Sequence, residues 1–166
     1  MILAIDPGNI ETGYCILSTS HYPVEFGKVK NEDLLQRLRT VSLSVDEAVI
    51  EMVASYGMPV GASVFETCVW IGRLAQVLED EGILVFFTTR KSYVTELCGS
   101  ARAKDANVVQ YLIDRFAPDT PNRGKGSKKE PGWFYGFKAD VWQAYALGVY
   151  WLDRREYERE SDGDPR

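Results

Sequence analysis

At 166 residues, with 45% hydrophobic and 12% aromatic content, the chain has the size of one domain and enough apolar residues for a full core, which excludes an intrinsically disordered protein. The net charge of −5 excludes a uniformly basic nucleic-acid coat, and no apolar run nears the roughly 20 residues that span a bilayer. A lone histidine, His21, and widely spaced Cys15, Cys68 and Cys98 argue against a Ser-His-Asp triad, a zinc site and a disulfide framework. With no basic region ahead of its first apolar run, the N-terminus carries no signal-peptide pattern, so the expected compartment is the cytoplasm.

Ile2 to Asp6 reads as a buried strand that ends on a carboxylate. Pro7 and Gly8 force a turn, and Gly13 lets the chain enter a second strand, about Gly13 to Ser18. A third strand spans about Val24 to Val29, completing an antiparallel meander. Leu34, Leu35, Leu38, Val41, Val45, Ala48, Val49, Met52 and Val53 recur at helical spacing. They predict a helix that starts at Asn31, a plausible N-cap, or near Ser44, and stops at Gly57 and Pro59.

Ala62 to Phe65 predicts a fourth strand, ending on Glu66. Thr67 then caps a helix to about Asp80, and Ile83 to Phe87 is a fifth strand, apolar on both faces. A short helix holds Tyr93 to Cys98, and another runs from Lys104 to Phe116 with Val108, Val109, Leu112, Ile113 and Phe116 on one face. Pro118 to Lys138 is a long irregular segment with five basic and four aromatic residues, more often functional or mobile than incidental. The last helix runs from about Ala139 to Tyr157. The whole is expected to be one domain, residues 1–158, with a frayed tail over 159–166.

Between Arg90 and Lys138 the chain carries ten Lys/Arg and five Asp/Glu, a local balance of +5. A basic face is therefore compatible with an acidic whole, although such a patch is often only a solvated surface.

Asp6, Glu66 and Asp140 stand out by position. Asp6 and Glu66 each end a predicted strand, and Asp140 opens the last helix. Each has a plain alternative: a turn residue, a helix cap and a first-turn acid. Gathered at one sheet edge they would repel one another, and a pair of hard divalent cations, Mg²⁺ or Mn²⁺, would neutralise them. Two such ions clamp the attacking and leaving oxygens of a phosphodiester.

D-P-G-x-x-x-T-G at Asp6 to Gly13, V-F-E at Val64 to Glu66 and A-D-x-x-x-A-x-A-L-G at Ala139 to Gly148 resemble the motifs of RuvC-type Holliday junction resolvases, at similar spacings. Leu97 to Asp105 and Gly126 to Gly136 resemble a phage or prophage branch of that family. The resemblance implies an α/β, RNase H-like fold: a five-stranded mixed sheet in the order 3-2-1-4-5, flanked by helices. It also implies a homodimer that nicks a four-way DNA junction symmetrically, with Asp6, Glu66 and Asp140 binding two Mg²⁺ (Mn²⁺ substituting) and an activated water attacking. Family members usually carry an acid or histidine one helical turn after the third acid. Here that position is Gln143, whose neutral oxygen ligates directly or through water.

Arg90, Lys91, Lys104, Lys125, Lys128 and Lys129 are the expected phosphate contacts. Trp133, Phe134 and Tyr135 either pack the long loop or stack on a base. The helix from Cys68 to Asp80 is a dimer-interface candidate by analogy. Rival readings are a flap, fork or structured-RNA nuclease of the same fold, and a non-catalytic junction-binding module. An actin-like ATPase also opens on D-x-G, but it needs two such domains, so no nucleotide cofactor and no membrane partner is expected.

Overall fold

The computed structural model describes residues 1–40, 44–55, 57 and 59–161. Five strands form one sheet: β1 (Ile2–Asp6), β2 (Glu11–Leu17), β3 (Pro23–Lys30), β4 (Glu47–Met52) and β5 (Leu84–Thr89). Their order is β3-β2-β1-β4-β5. The first three form the expected antiparallel meander, while β4 runs parallel to both β1 and β5. This is the mixed sheet of the RNase H-like α/β fold.

Five helices cover the sheet: α1 (Asn31–Thr40), α2 (Ala62–Asp80), α3 (Arg90–Cys98), α4 (Asp105–Phe116) and α5 (Val141–Ser161). Strand alternation divides the core in two. Leu3, Ile5, Ala48 and Ile50 point toward Leu34, Leu38, Ile71, Leu74 and Leu78 of α1 and α2. Ile2, Ala4, Cys15 and Val49 point the other way, toward α3, α4 and α5. Buried on all sides from Val141 to Tyr150, α5 is the central helix of that second layer. Its close approach depends on Gly148, where a Cβ would lie 2.5 Å from a Leu17 methyl and 3.2 Å from Ala4 Cβ.

Two predicted elements are corrected. The helix expected from Asn31 or Ser44 to Val53 is instead α1 followed by β4. A short apolar run fits helix and strand periods alike, and Ala48, Val49 and Ile50 are wholly buried because both faces of β4 are covered. The strand expected at Ala62 to Phe65 is the first turn of α2. Phe65 is 61% exposed, and no proline interrupts Ala62 to Asp80, where Gly72 is the one weak helix former tolerated within the span. Thr67, the expected cap, lies inside that helix and donates its hydroxyl to the Ser63 carbonyl at 2.9 Å. Val41 and the tail beyond Ser161 lie outside the described residues, and α5 reaches Ser161 rather than ending at Tyr157.

The segment from Pro118 to Lys138 is built on backbone hydrogen bonds. Gly126 and Pro131 form an antiparallel bridge, Gly132 N–H donates to the Lys125 carbonyl at 2.9 Å and Phe134 N–H to that of Gly124 at 3.0 Å. At Gly126, with φ of +65°, a Cβ would sit 2.3 Å from the Glu130 oxygen, so that position takes only glycine. Phe134 and Phe137 are fully buried. Trp133 stacks on Phe116 and donates its indole N–H to the Tyr145 hydroxyl at 2.9 Å. The packing alternative therefore describes Trp133 and Phe134, while Tyr135 remains exposed.

Candidate active site at the carboxyl ends of the central strands

One row of residues crosses the sheet where β1 and β4 end. Lys28 on β3 pairs with Gly13 on β2, and Gly13 pairs with Asp6 on β1. Glu51 on β4 follows the Ile5–Ile50 pair and is itself opposite Thr88 on β5. Asp6 shares the strand face of Ile2 and Ala4, and Glu51 shares that of Val49. Both acids therefore face α5, the layer that Asp140 introduces.

Asp140 comes down over Gly13. A Cβ on Gly13 would lie 2.8 Å from the Asp140 carbonyl oxygen and 3.0 Å from its Cβ. The glycine that ends the first motif is thus the floor on which the third acid rests. Ala139, just before it, has a left-handed φ of +29°, a strain of the kind found where function fixes the backbone. The turn from Asp6 to Gly13 is clamped by Asn31. Its wholly buried side chain donates to the Gly8 carbonyl at 2.9 Å and accepts from the Thr12 hydroxyl at 2.7 Å. Asn31 is the first residue of α1, so one residue starts the helix and holds the turn after Asp6.

The electrostatics mark the same place. Burial, with Glu51 and Asp140 adding to it, pushes the Asp6 carboxyl up to about 8, against a smaller pull from Arg90. Burial also raises Glu51. Glu51 accepts a hydrogen bond from the Tyr93 hydroxyl at 2.8 Å. Burial and Glu51 hold Tyr93 far above the usual phenol range, so its O–H stays a donor. Lys28 Nζ lies 2.7 Å from Asp140 Oδ2 and 3.5 Å from Glu11.

Glu66 falls elsewhere. It is exposed on α2, just past the first turn, and accepts from Asn9 Nδ2 at 3.1 Å. The strand-end carboxylate that the sequence argument required exists, but it is Glu51. The signal was E-A-V-I-E at Glu47 to Glu51, a short apolar run ending on an acid, masked by a helix-compatible spacing. Lys28 was missed because an isolated strand lysine carries no motif.

Carboxylate oxygens suit a hard cation, and the Asp6 carboxyl, raised first by burial and then by Glu51 and Asp140, is a group whose charged form such an ion would favour. Asp6, Glu51 and Asp140 therefore fit a divalent ion by chemistry. Their present arrangement is open: among the described residues, no three His, Cys, Asp or Glu side chains are close enough to hold a metal as they stand. Lys28 holds Asp140 and Tyr93 holds Glu51.

Of the expected phosphate contacts, Arg90 turns inward, donating to Tyr93 at 2.9 Å and to Gln143 at 2.8 Å, and pairing with Asp105. Lys104 caps α4 through its backbone N–H, which donates to Asn107 Oδ1 at 2.9 Å, and its side chain is exposed. Lys128 and Lys129 are exposed on the long loop, Lys125 is half-buried, and Lys91 opens α3 beside Arg90. Gln143 lies 8% exposed within the Arg90 network.

No protein-family model matches the chain, and no curated protein matches it. Solved structures do. A structure of Thermus thermophilus RuvC superposes with a TM-score of 0.63 at 14% identity, covering 93% of this chain and 95% of that one. The T. thermophilus RuvC in complex with Holliday junction substrate superposes with a TM-score of 0.66 at 14% identity, covering 96% and 95%. The chain thus has the RuvC fold over nearly its full length. Among the described residues no helix is long and apolar enough to cross a membrane.

Proposed function

We propose that the chain is a metal-dependent endodeoxyribonuclease that resolves four-way DNA junctions by paired nicks. The observation that carries this reading is the convergence of Asp6, Glu51 and Asp140 at the carboxyl ends of β1 and β4 and the start of α5, in a fold shared with a protein whose structure holds Holliday junction substrate. The likeness at 14% identity supports the fold alone, so the chemistry is argued from the residues.

What Mg²⁺ or Mn²⁺ would supply, bound by Asp6, Glu51 and Asp140, is Lewis-acid polarisation of a phosphodiester and a more acidic water. The residues of the chain do the rest. Asp6 and Glu51 sit on rigid paired strands, so their oxygens are fixed before substrate arrives. Tyr93 orients Glu51 through one hydrogen bond. Lys28, 2.7 Å from Asp140 Oδ2, positions that carboxylate and offsets part of its charge. Lys125, Lys128 and Lys129 on the ordered loop, with Lys91 and Lys104, supply phosphate contacts.

Paired nicks in a two-fold substrate call for a two-fold protein. The outer face of α2 presents Phe65 and Val69, each 61% exposed, beside the exposed Cys68. That stripe supports the homodimer.

The test is incubation with a labelled synthetic four-way junction, with and without Mg²⁺, alongside linear duplex, fork and structured RNA. Symmetric nicks in the junction, only with metal, are expected. Preferential cutting of forks or RNA would overturn the substrate, and binding without cutting would overturn catalysis.

A further inference from the structure

Gln143 stands one turn into α5 after Asp140, where its side chain would have to serve a second metal. Its only side-chain oxygen is already engaged. Arg90 Nη1 donates to Gln143 Oε1 at 2.8 Å and to the Tyr93 hydroxyl at 2.9 Å. The Tyr93 hydroxyl spends its one proton on Glu51, so its 3.4 Å approach to Gln143 is not a second donation. Arg90 Nη2 pairs with Asp105 at the start of α4. Three elements therefore aim one guanidinium into the acid pocket: α3 carries it, α4 fixes one end and α5 fixes the other.

We propose that Arg90 is the resident second cation of this site, held by Gln143, Tyr93 and Asp105, so that the chain needs one divalent ion per protomer instead of two. The inference rests on the phosphodiester-cleaving reading above. A guanidinium is always charged and cannot lose its proton to make way for a metal. It is linked to Glu51 through the Tyr93 hydroxyl, which accepts from Arg90 and donates to Glu51. A second divalent ion on Gln143 would share its ligand oxygen with a positive group within hydrogen-bond distance. The replacement of an acid by Gln143 and the inward turn of Arg90 thus explain each other. An acid there would form an ion pair with Arg90 or bind metal, whereas a neutral amide steers the guanidinium and leaves its charge to the pocket. Arg90 is a charge-compensating and positioning residue in this account, and a fixed donor array suits charge developing on a phosphate.

The experiment counts ions. The full chain is dialysed to equilibrium against Mn²⁺, alone and with a four-way junction built from phosphorothioate linkages, and bound metal is measured per chain after subtracting the Mn²⁺ that the same junction holds without protein. One ion per chain is expected in both. The double variant Arg90→Gln with Gln143→Asp is expected to bind two, with its fold checked by circular dichroism and melting temperature. Arg90→Lys, which keeps the charge, is expected to stay at one. Two ions on the unmodified chain would overturn the proposal, as would a folded double variant that still binds one. No bound Mn²⁺ at all would overturn this proposal and the metal-dependent function together, whereas two ions would leave that function standing.

Discussion

The Tyr93 hydroxyl donates to Glu51 Oε2 at 2.8 Å, and this contact ties Glu51 to α3. Glu51 lies near the end of β4 beside Asp6, while Glu66 lies exposed on α2 with Asn9 as its partner. Glu51→Gln is expected to lower junction cleavage by at least about a hundredfold, the scale of losing one charge-stabilising group at a reacting centre. Glu66→Gln is expected to change stability by no more than about 0.5 kcal/mol, as for other surface substitutions, and to leave cleavage near the unmodified rate. Initial rates on a labelled junction compare the two.

Asp6→Asn is expected to abolish cleavage and preserve junction binding, because it removes an acid and leaves the basic loop intact. Gel-shift and cleavage measurements on the same preparation check both halves. Loss of binding in a folded variant would contradict the separation of site and surface.

Gly13→Ala tests the packing of the third acid. The added methyl would meet the Asp140 backbone at 2.8 to 3.0 Å, and backbone cannot rotate away as a side-chain tip can. A destabilisation of about 1–3 kcal/mol, the usual cost of overpacking, is expected. Cleavage should fall further than stability explains, since the clash displaces Asp140. Denaturant melts and rates at a temperature where the variant is folded separate the two effects.

These expectations show how much of the site was legible in the sequence. Asp6 and its glycine turn were legible because strand, breaker and glycine follow within eight residues. Asp140 was legible from the amphipathic block after it, and the sheet order followed from the family resemblance. The second strand-end acid is Glu51 and not Glu66, for a physical reason. A-V-I in β4 and A-S-V-F in α2 are both short apolar runs ending on Glu, and local periodicity assigns neither. Only burial decides: Ala48, Val49 and Ile50 are inside, and Phe65 is outside. Lys28 and the inward turn of Arg90 are tertiary facts. Lys28 reaches Asp140 across 112 residues of chain, and Arg90 reaches Gln143 across 53.

The far end of α5 carries an acid-sensitive tie. Asp153 binds Arg115 through both oxygens, at 2.5 and 2.8 Å, and His21 at 2.8 Å. Burial alone would raise its carboxyl, but the hydrogen bonds from Arg115 and His21 outweigh it and bring it down to about 2. A depressed carboxyl adds stability above its unfolded value, near 4, and loses it as pH falls toward 2. Asp153→Asn should therefore cost on the order of 2 kcal/mol at pH 5, and most of that difference should be gone by pH 2. Urea melts of both proteins across that range provide the check. A difference at pH 2 as large as that at pH 5 would mean the carboxylate charge is not its source.

Lys128→Ala with Lys129→Ala is expected to weaken junction binding without changing the rate at saturating protein. If both lysines neutralise phosphates, the slope of log affinity against log salt should flatten by about 1.8. Binding isotherms at several salt concentrations read this directly. An unchanged slope would place the DNA on another face.

The proposed function stands or falls on whether Asp6, Glu51 and Asp140 act as one metal-dependent site for cutting junction DNA. The most direct measurement is cleavage of a four-way junction labelled on each strand in turn, by the unmodified chain, Glu51→Gln and Glu66→Gln, with and without Mg²⁺. Symmetric nicks with Mg²⁺ are expected from the unmodified chain and from Glu66→Gln, and at least about a hundredfold fewer from Glu51→Gln. Cleavage that survives in Glu51→Gln and disappears in Glu66→Gln would contradict that site.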